Sequence, residues 1–347
     1  MAQTRDAAIV GIHEYPSRVV GSGVSALQIK AASAAKALED AGLSWSDVDA
    51  IYDTGSHQNI GGLGISEYLG IKPKIIDSTS VGGTSYEFHA NHAAAMIAAG
   101  KCNVALLTYG STAHSDRRAI GTGGYASSGP NNPHNNMEAP WGMTLISNYG
   151  MVKARHMHQY GTTNEQFAAI SIATRKHAMR NPEAVKAMTE LEFVGIQELT
   201  VEDVVDSRMV AWPLRLLECC MISDGGGAVV IASKEVARNT AKKPVWIIGT
   251  GEATKYRENG GDITVSAGGQ SGPRAFADAG VSPSEIDSLM VYDSFSITVM
   301  CLIEDLGFCE KGEGGQFVLN GRIGLGGELP INTDGGGLSS NHPGMRG

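Results

Sequence analysis

A chain of 347 residues, 42% hydrophobic and 18% charged, has enough apolar material for a large core and too much for a disordered polymer. Its net charge of −9, with no basic stripe, excludes a nucleic-acid binder, and no run approaches the ~18 apolar residues of a membrane span. Five scattered cysteines form no CxxC pair or metal spacing, and the first residues lack the apolar core of a signal peptide, which points to a soluble protein of the reducing cytoplasm.

In chain order, residues 7–12 read as a short buried strand. Leu27, Ala31, Ala35, Leu38 and Ala41 recur at near-helical intervals up to a stop at Gly42, and residues 49–53 return as a second strand. Val81-Gly82-Gly83-Thr84-Ser85 then makes a tight turn, residues 86–100 an alanine-rich helix closed by Gly100, and residues 103–110 another buried strand. Such a turn can aim backbone N–H groups at a developing oxyanion or hold a nucleophile; the plainer alternative is an ordinary strand-turn-helix unit of an α/β sheet.

A later segment repeats an earlier one. Asp40-Ala41-Gly42-Leu43-Ser44-Trp45-Ser46-Asp47-Val48-Asp49-Ala50 returns as Asp278-Ala279-Gly280-Val281-Ser282-Pro283-Ser284-Glu285-Ile286-Asp287-Ser288, identical at six of eleven positions. Tyr68-Leu69-Gly70-Ile71 is echoed by Asp305-Leu306-Gly307-Phe308, Gly82-Gly83-Thr84-Ser85 by Gly336-Gly337-Leu338-Ser339, and residues 245–249 mirror the first strand up to Gly11. These echoes predict a duplicated α/β unit with its central helices packed together, the helix after Gly83 buried at the middle. The halves are unequal. An insertion separates Gly110 from Gly225, its first part (111–142) a Gly/Asn/Ser/Pro-rich loop or lid, its second part helices at about 144–180 and a capped start at Thr200-Val201-Glu202-Asp203. The second copy reaches only to Gly347, soon after its turn, so that either a tail belongs beyond it or its sheet is left incomplete.

A two-fold repeat carrying a lid resembles the thiolase fold, and particular runs resemble the sterol-carrier-protein type of thiolase. They are Tyr149-Gly150-Met151, the run from Arg155 to Thr163, Asn181-Pro182, Pro213 through Cys220, Ser223-Asp224-Gly225, Tyr292-Asp293-Ser294-Phe295-Ser296-Ile297, Ile303 through Gly315, and the glycine-rich His-Pro segment from Asn332 to Gly344. The resemblance implies an α/β thiolase fold, with duplicated βαβαβαββ halves in a layered αβαβα arrangement and a lid/loop insertion in the first half. Residues 1–110 and 222–240 would form the N-terminal half, 111–221 the insertion and 241–347 the C-terminal half.

The same resemblance places the nucleophilic cysteine of thiolases at the turn into the central helix, within a residue of Gly83, and no cysteine occurs before Cys102. Ser85 is a candidate substitute. Where the family carries Asn-Glu or His-Asp, this chain has Tyr292-Asp293, an arrangement similar to that of the steroid side-chain-cleaving aldolases. Those enzymes cleave a β-hydroxyacyl-CoA by a retro-aldol reaction beside a small partner with a zinc ribbon and an OB-fold (DUF35 type). The implied catalytic residues are Tyr292, His342 and Asp293, with Tyr292 as base and its pKa lowered by nearby donors; Gly83, Ser85, His89 and Gly337 would contact substrate or oxyanion. Coenzyme A enters only as part of the substrate; no cofactor and no metal is expected. His342 keeps an acyltransferase open, and a non-catalytic thiolase-like subunit is a third reading, although a scaffold would need neither Tyr292 nor His342; Tyr292 as the end of a core strand is the plainer reading of that residue. A homodimer pairing along an edge strand at about 103–109 or its neighbour is also expected. His89 and His92, two positions on one helical face, are too few for a metal site; His156 and His158 would pack or line a pocket, and Gly121-Thr122-Gly123-Gly124 is a weak phosphate-loop signal.

Overall fold

The computed structural model describes residues 6–55, 61–117, 144–255 and 261–345. A six-stranded sheet organises the first half. Its members are β1 (Ala7–Glu14), β2 (Ala50–Tyr52), β3 (Ile75–Asp77), β4 (Val104–Ser111), β7 (Gly225–Ser233) and β8 (Val245–Trp246), in the order β3-β2-β4-β7-β1-β8. β2 runs parallel to β3 and β4, whereas β7 lies antiparallel between β4 and β1.

The strands read as continuous apolar runs because both faces are covered. Ala8, Val10, Ile51, Val104, Leu106, Val230 and Ala232 face α1 (Ala26–Ala41), while Ala7, Ala50, Tyr52, Ala105, Leu107 and Ile231 face α3 (Ser85–Ala98), reached after α2 (Gly62–Leu69). Alternate residues along each strand thus serve opposite layers, as the two-residue period of a strand dictates. A buried Lys30–Asp53 ion pair at 2.7 Å, with Thr108 Oγ1 donating to the same carboxylate, ties α1 to β2 and β4.

The insertion supplies α4 (Leu145–Tyr160), α5 (Asn164–Ala178), α6 (Pro182–Glu190), α7 (Val201–Val205) and a hairpin of β5 (Met209–Ala211) and β6 (Leu214–Arg215). Thr200 and Asp203 form the reciprocal capping box that the sequence signals. After β7 and α8 (Lys234–Ala237), the second half contains α9 (Gly268–Ala279), α10 (Ser296–Asp305), α11 (Gly314–Phe317) and α12 (Gly336–Ser339). Two buried contacts fasten α4 to this half: Lys153 to Glu218, whose carboxylate also accepts from Ser296, and His156 to Glu304.

The duplication is visible atom for atom. Gly42 and Gly280 both end their helices in the left-handed conformation, and each is followed by a 3-10 turn with a serine capping box. The Ile12 N–H donates to Asp40 at 3.1 Å, and the Thr250 N–H donates to Asp278 at 3.1 Å. A Cβ on Gly11 would strike Ala37 and Ala41, and one on Gly249 would strike Ala275 and Ala279. The copies diverge in their strands. β8 adds to the first sheet beside β1, and the residues matching β2 are held by an isolated bridge, Leu289 to Ile331. In the first half β4 and β7 fill the middle of the sheet; among the described residues of the second half nothing takes their place.

Two expectations are corrected. β4 is no edge strand, since β2 and β7 flank it; the edges are β3 and β8. Nor is α3 buried all round. Its buried residues are Ser85, His89, Ala93, Ala94 and Ile97, on the face turned to the sheet, whereas Met96 is 39% exposed. No described helix is long and apolar enough to cross a membrane. The glycine run at 121–124 and most of the expected lid loop lie outside the described residues.

Candidate active site

The site forms where three pieces of chain meet: the turn before α3, the segment 289–295 leading into α10, and the glycine-rich segment 332–343. Asn332 brings the second and third together. Its amide donates to Val291 O at 2.9 Å and accepts from the Val291 N–H at 2.9 Å, so a side chain acts as the strand partner of the residue before Tyr292. Asn332 adopts φ +49°, a conformation that asparagine tolerates better than most residues. Two residues past Val291, the Asp293 carboxylate accepts from the Gly337 N–H at 2.7 Å and the Leu338 N–H at 3.2 Å. The glycines are required here, because a Cβ on Gly336 or Gly337 would run into that carboxylate. His342 is then seated by Ser223, which accepts from its N–H and donates its own N–H to its carbonyl, while the Tyr109 hydroxyl donates to Pro343 O at 2.8 Å.

These anchors deliver the Tyr292 hydroxyl to within 2.9 Å of His342 Nε2, with the rings inclined at 46°. Nε2 accepts the tyrosine proton when the imidazole carries its own proton on Nδ1. Gly83 lies against the other side of the tyrosine. A Cβ built there would sit 2.6 Å from Tyr292 Cζ and 3.0 Å from its hydroxyl, so the ring fills the space that a residue-83 side chain would need. Burial, reinforced by Cys220, Tyr149 and Asp293, pushes the Tyr292 phenol far above its ordinary value. That reverses the expected lowering: burial keeps the phenol protonated.

The remaining expectations fall out differently. Asp293 accepts from the Gly337 and Leu338 N–H groups, which ties the segment bearing the tyrosine to α12 and engages the Gly337 N–H. Ser85 is fully buried, its Oγ donating to Gly82 O at 2.6 Å and accepting from the Val81 N–H at 3.0 Å; it staples the turn and is not aimed as a nucleophile. His89 is also fully buried, with Nε2 2.9 Å from Thr79 O and its ring between Tyr52 and Tyr86, and belongs to the core instead of the substrate face. His92 points elsewhere, to Asp77 at 2.6 Å and Glu252 at 3.2 Å. Among the described residues no cluster of three His, Cys, Asp or Glu side chains could hold a metal. Burial raises every thiol: Cys102 to about 11, Cys219, Cys301 and Cys309 to about 12, and Cys220 further. None is a thiolate near neutral pH. Asn332 and Ser223 sit inside the quoted runs, but nothing in their spacing shows that their side chains serve the backbone beside Tyr292 and His342.

Residues 249–347 match the family model "Thiolase C-terminal domain-like". The chain is 32% identical to the steroid side-chain-cleaving aldolase of Thermomonospora curvata, over 91% of its own length and 82% of that protein's. It is 32% identical to the 17-hydroxy-3-oxo-4-pregnene-20-carboxyl-CoA lyase of Mycobacterium tuberculosis, over 96% and 86%. A solved structure described as "Ltp2-ChsH2(DUF35) aldolase" superposes with a TM-score of 0.84 at 30% identity, covering 98% of this chain and 86% of that one.

Proposed function

Because this chain belongs to the thiolase superfamily and is similar over most of its length to steroid side-chain-cleaving aldolases, we propose that it is a carbon–carbon lyase. It cleaves a β-hydroxyacyl-CoA with a steroid side chain into a ketone and a shorter acyl-CoA. The observation that carries this reading is the Tyr292–His342 hydrogen bond, set where Gly83 leaves room for it. As the substrate's β-hydroxyl gives its proton to the Tyr292 oxygen, Tyr292 passes its own proton to His342 Nε2. The O–H bonding pair becomes the ketone's C=O, the Cα–Cβ pair becomes the thioester enolate, and the proton held on His342 is available to protonate Cα. No acyl-enzyme is needed, which accords with a turn lacking cysteine and with thiols raised by burial.

The reading includes two thiolase halves around an insertion at 111–221, a cytoplasmic location and a homodimer. The exposed edge of β3, where Ile76 is 44% exposed, supports pairing of two copies. It also includes a small partner with an OB-fold and a zinc ribbon; the description of the superposing structure as an Ltp2-ChsH2(DUF35) aldolase supports a DUF35 partner.

The test supplies a β-hydroxyacyl-CoA with a bulky side chain, with and without such a partner, and follows release of ketone and shorter acyl-CoA. Cleavage that depends on Tyr292 and His342 is the expected result; a covalent acyl group on Ser85 would make the protein an acyltransferase instead.

A further inference from the structure

Arg175, on α5 of the insertion, is among the largest fully buried side chains of the protein. Its partners are two neutral oxygens: Nε donates to Ser339 Oγ at 3.0 Å and Nη1 to Gly195 O at 2.7 Å, with the guanidinium above the Phe193 ring. Burial alone lowers its pKa, to about 10, so it is still a cation at neutral pH. Among the described residues no carboxylate stands beside it; a charge so withdrawn from water is costly, and packing alone would be served as well by an apolar side chain.

What it grips is the last residue of α12. The Gly337 and Leu338 N–H groups of that helix hold the Asp293 carboxylate, next to Tyr292, and His342 follows three residues after Ser339. The short helix is therefore clamped at both ends, by Asp293 from the segment bearing the tyrosine and by Arg175 from the insertion. His177 Nδ1, 3.3 Å from Asn332 O, and Asn181, whose amide donates to Asp334 O, hold the same glycine-rich segment from the same side. Four residues make barely one helical turn, so α12 has little rigidity of its own.

We propose that Arg175 is a positioning residue that sets the distance between Tyr292 and His342, making the insertion a working part of the active site. The inference rests on the reading of those two residues as the reacting pair. A shift of about 1 Å in such a pair can cost on the order of 100-fold in turnover.

The experiment compares full-length wild type with Ser339→Ala, Arg175→Lys, Arg175→Met and the Arg175→Met/Ser339→Ala double variant. Cleavage of the β-hydroxyacyl-CoA is measured together with the nitrogen NMR signal of the His342 ring in histidine-labelled protein, assigned with His342→Gln. Ser339→Ala is expected to lower kcat roughly 10-fold and Arg175→Met roughly 100-fold with KM little changed. The double variant should be no worse than Arg175→Met alone, Arg175→Lys should restore part of the loss, and the His342 signal should move in step with kcat. Folded Ser339→Ala and Arg175→Met proteins with wild-type kcat and an unmoved His342 signal would overturn the proposal. If wild type cleaves no such substrate, the functional reading fails, and the His342 signal alone decides whether Arg175 sets the pair.

Discussion

Gly83 and Tyr292 share one volume: the tyrosine ring stands where a side chain at position 83 would begin, its Cζ 2.6 Å from the place of the missing Cβ. The cysteine absent from the turn and the tyrosine present on the facing segment are thus two aspects of a single packing arrangement.

Gly83→Ala should force the Tyr292 ring aside. Overpacking of this kind costs about 1–3 kcal/mol, and a displaced hydroxyl loses its bond to His342. The expected result is a lowered urea midpoint together with a fall in turnover of about 100-fold. Wild-type cleavage by Gly83→Ala would show that the contact does not govern the chemistry.

Tyr292→Phe removes the relay and little else. Turnover should drop by a factor of ~10² to 10⁴ while thermal unfolding stays close to that of wild type. Stopped assays with ketone trapping would measure the loss; an unchanged rate would take the tyrosine out of the mechanism.

Iodoacetamide should leave activity largely intact at pH 7. All five cysteines are free, and burial keeps each thiol protonated far above neutrality. Mass spectrometry should show little labelling of folded protein, with faster reaction as pH rises. Rapid inactivation accompanied by a single modified cysteine would contradict this.

Acid should weaken the fold in a defined window. Burial holds the His89 ring below its ordinary value of 6.5, so the folded protein refuses a proton that the unfolded chain accepts. The unfolded state then binds more protons as pH falls through 6.5, and stability declines, until the folded pKa is reached; above 6.5 this contribution is constant. His177 is lowered by burial in the same sense. Urea midpoints should be close at pH 7.5 and 6.5 and fall at 5.5, and His89→Gln should flatten that decline, at most about 1.4 kcal/mol per pH unit for one proton. An equally steep slope in the variant would clear His89 of the effect.

Much of the fold was legible because its signals are local. Gly42 and Gly280 announce helix ends within one turn, Thr200 and Asp203 announce a start, and the eleven-residue repeat announces the duplication. The pair Tyr292 and His342 was reachable only through the resemblance, because fifty residues separate them and no spacing rule joins them. His89 misled for the opposite reason: its helical position is readable, but whether that face meets substrate or Thr79 and two tyrosines depends on segments distant in sequence. Arg175 gave no sign at all, since a cation on a polar-looking helix is ordinarily solvated.

The place of β7 sets an order on biosynthesis. Pairing along β1 and β4 requires residues 225–233, which leave the ribosome only after the whole insertion. Until then the nascent chain holds two apolar strands with open edges and nothing between them, a state prone to sticking to its neighbours. The helices that cover β7, α1 and α3, are made before the insertion, so the strand that fills the middle of the first sheet arrives to find both of its covering layers already synthesised.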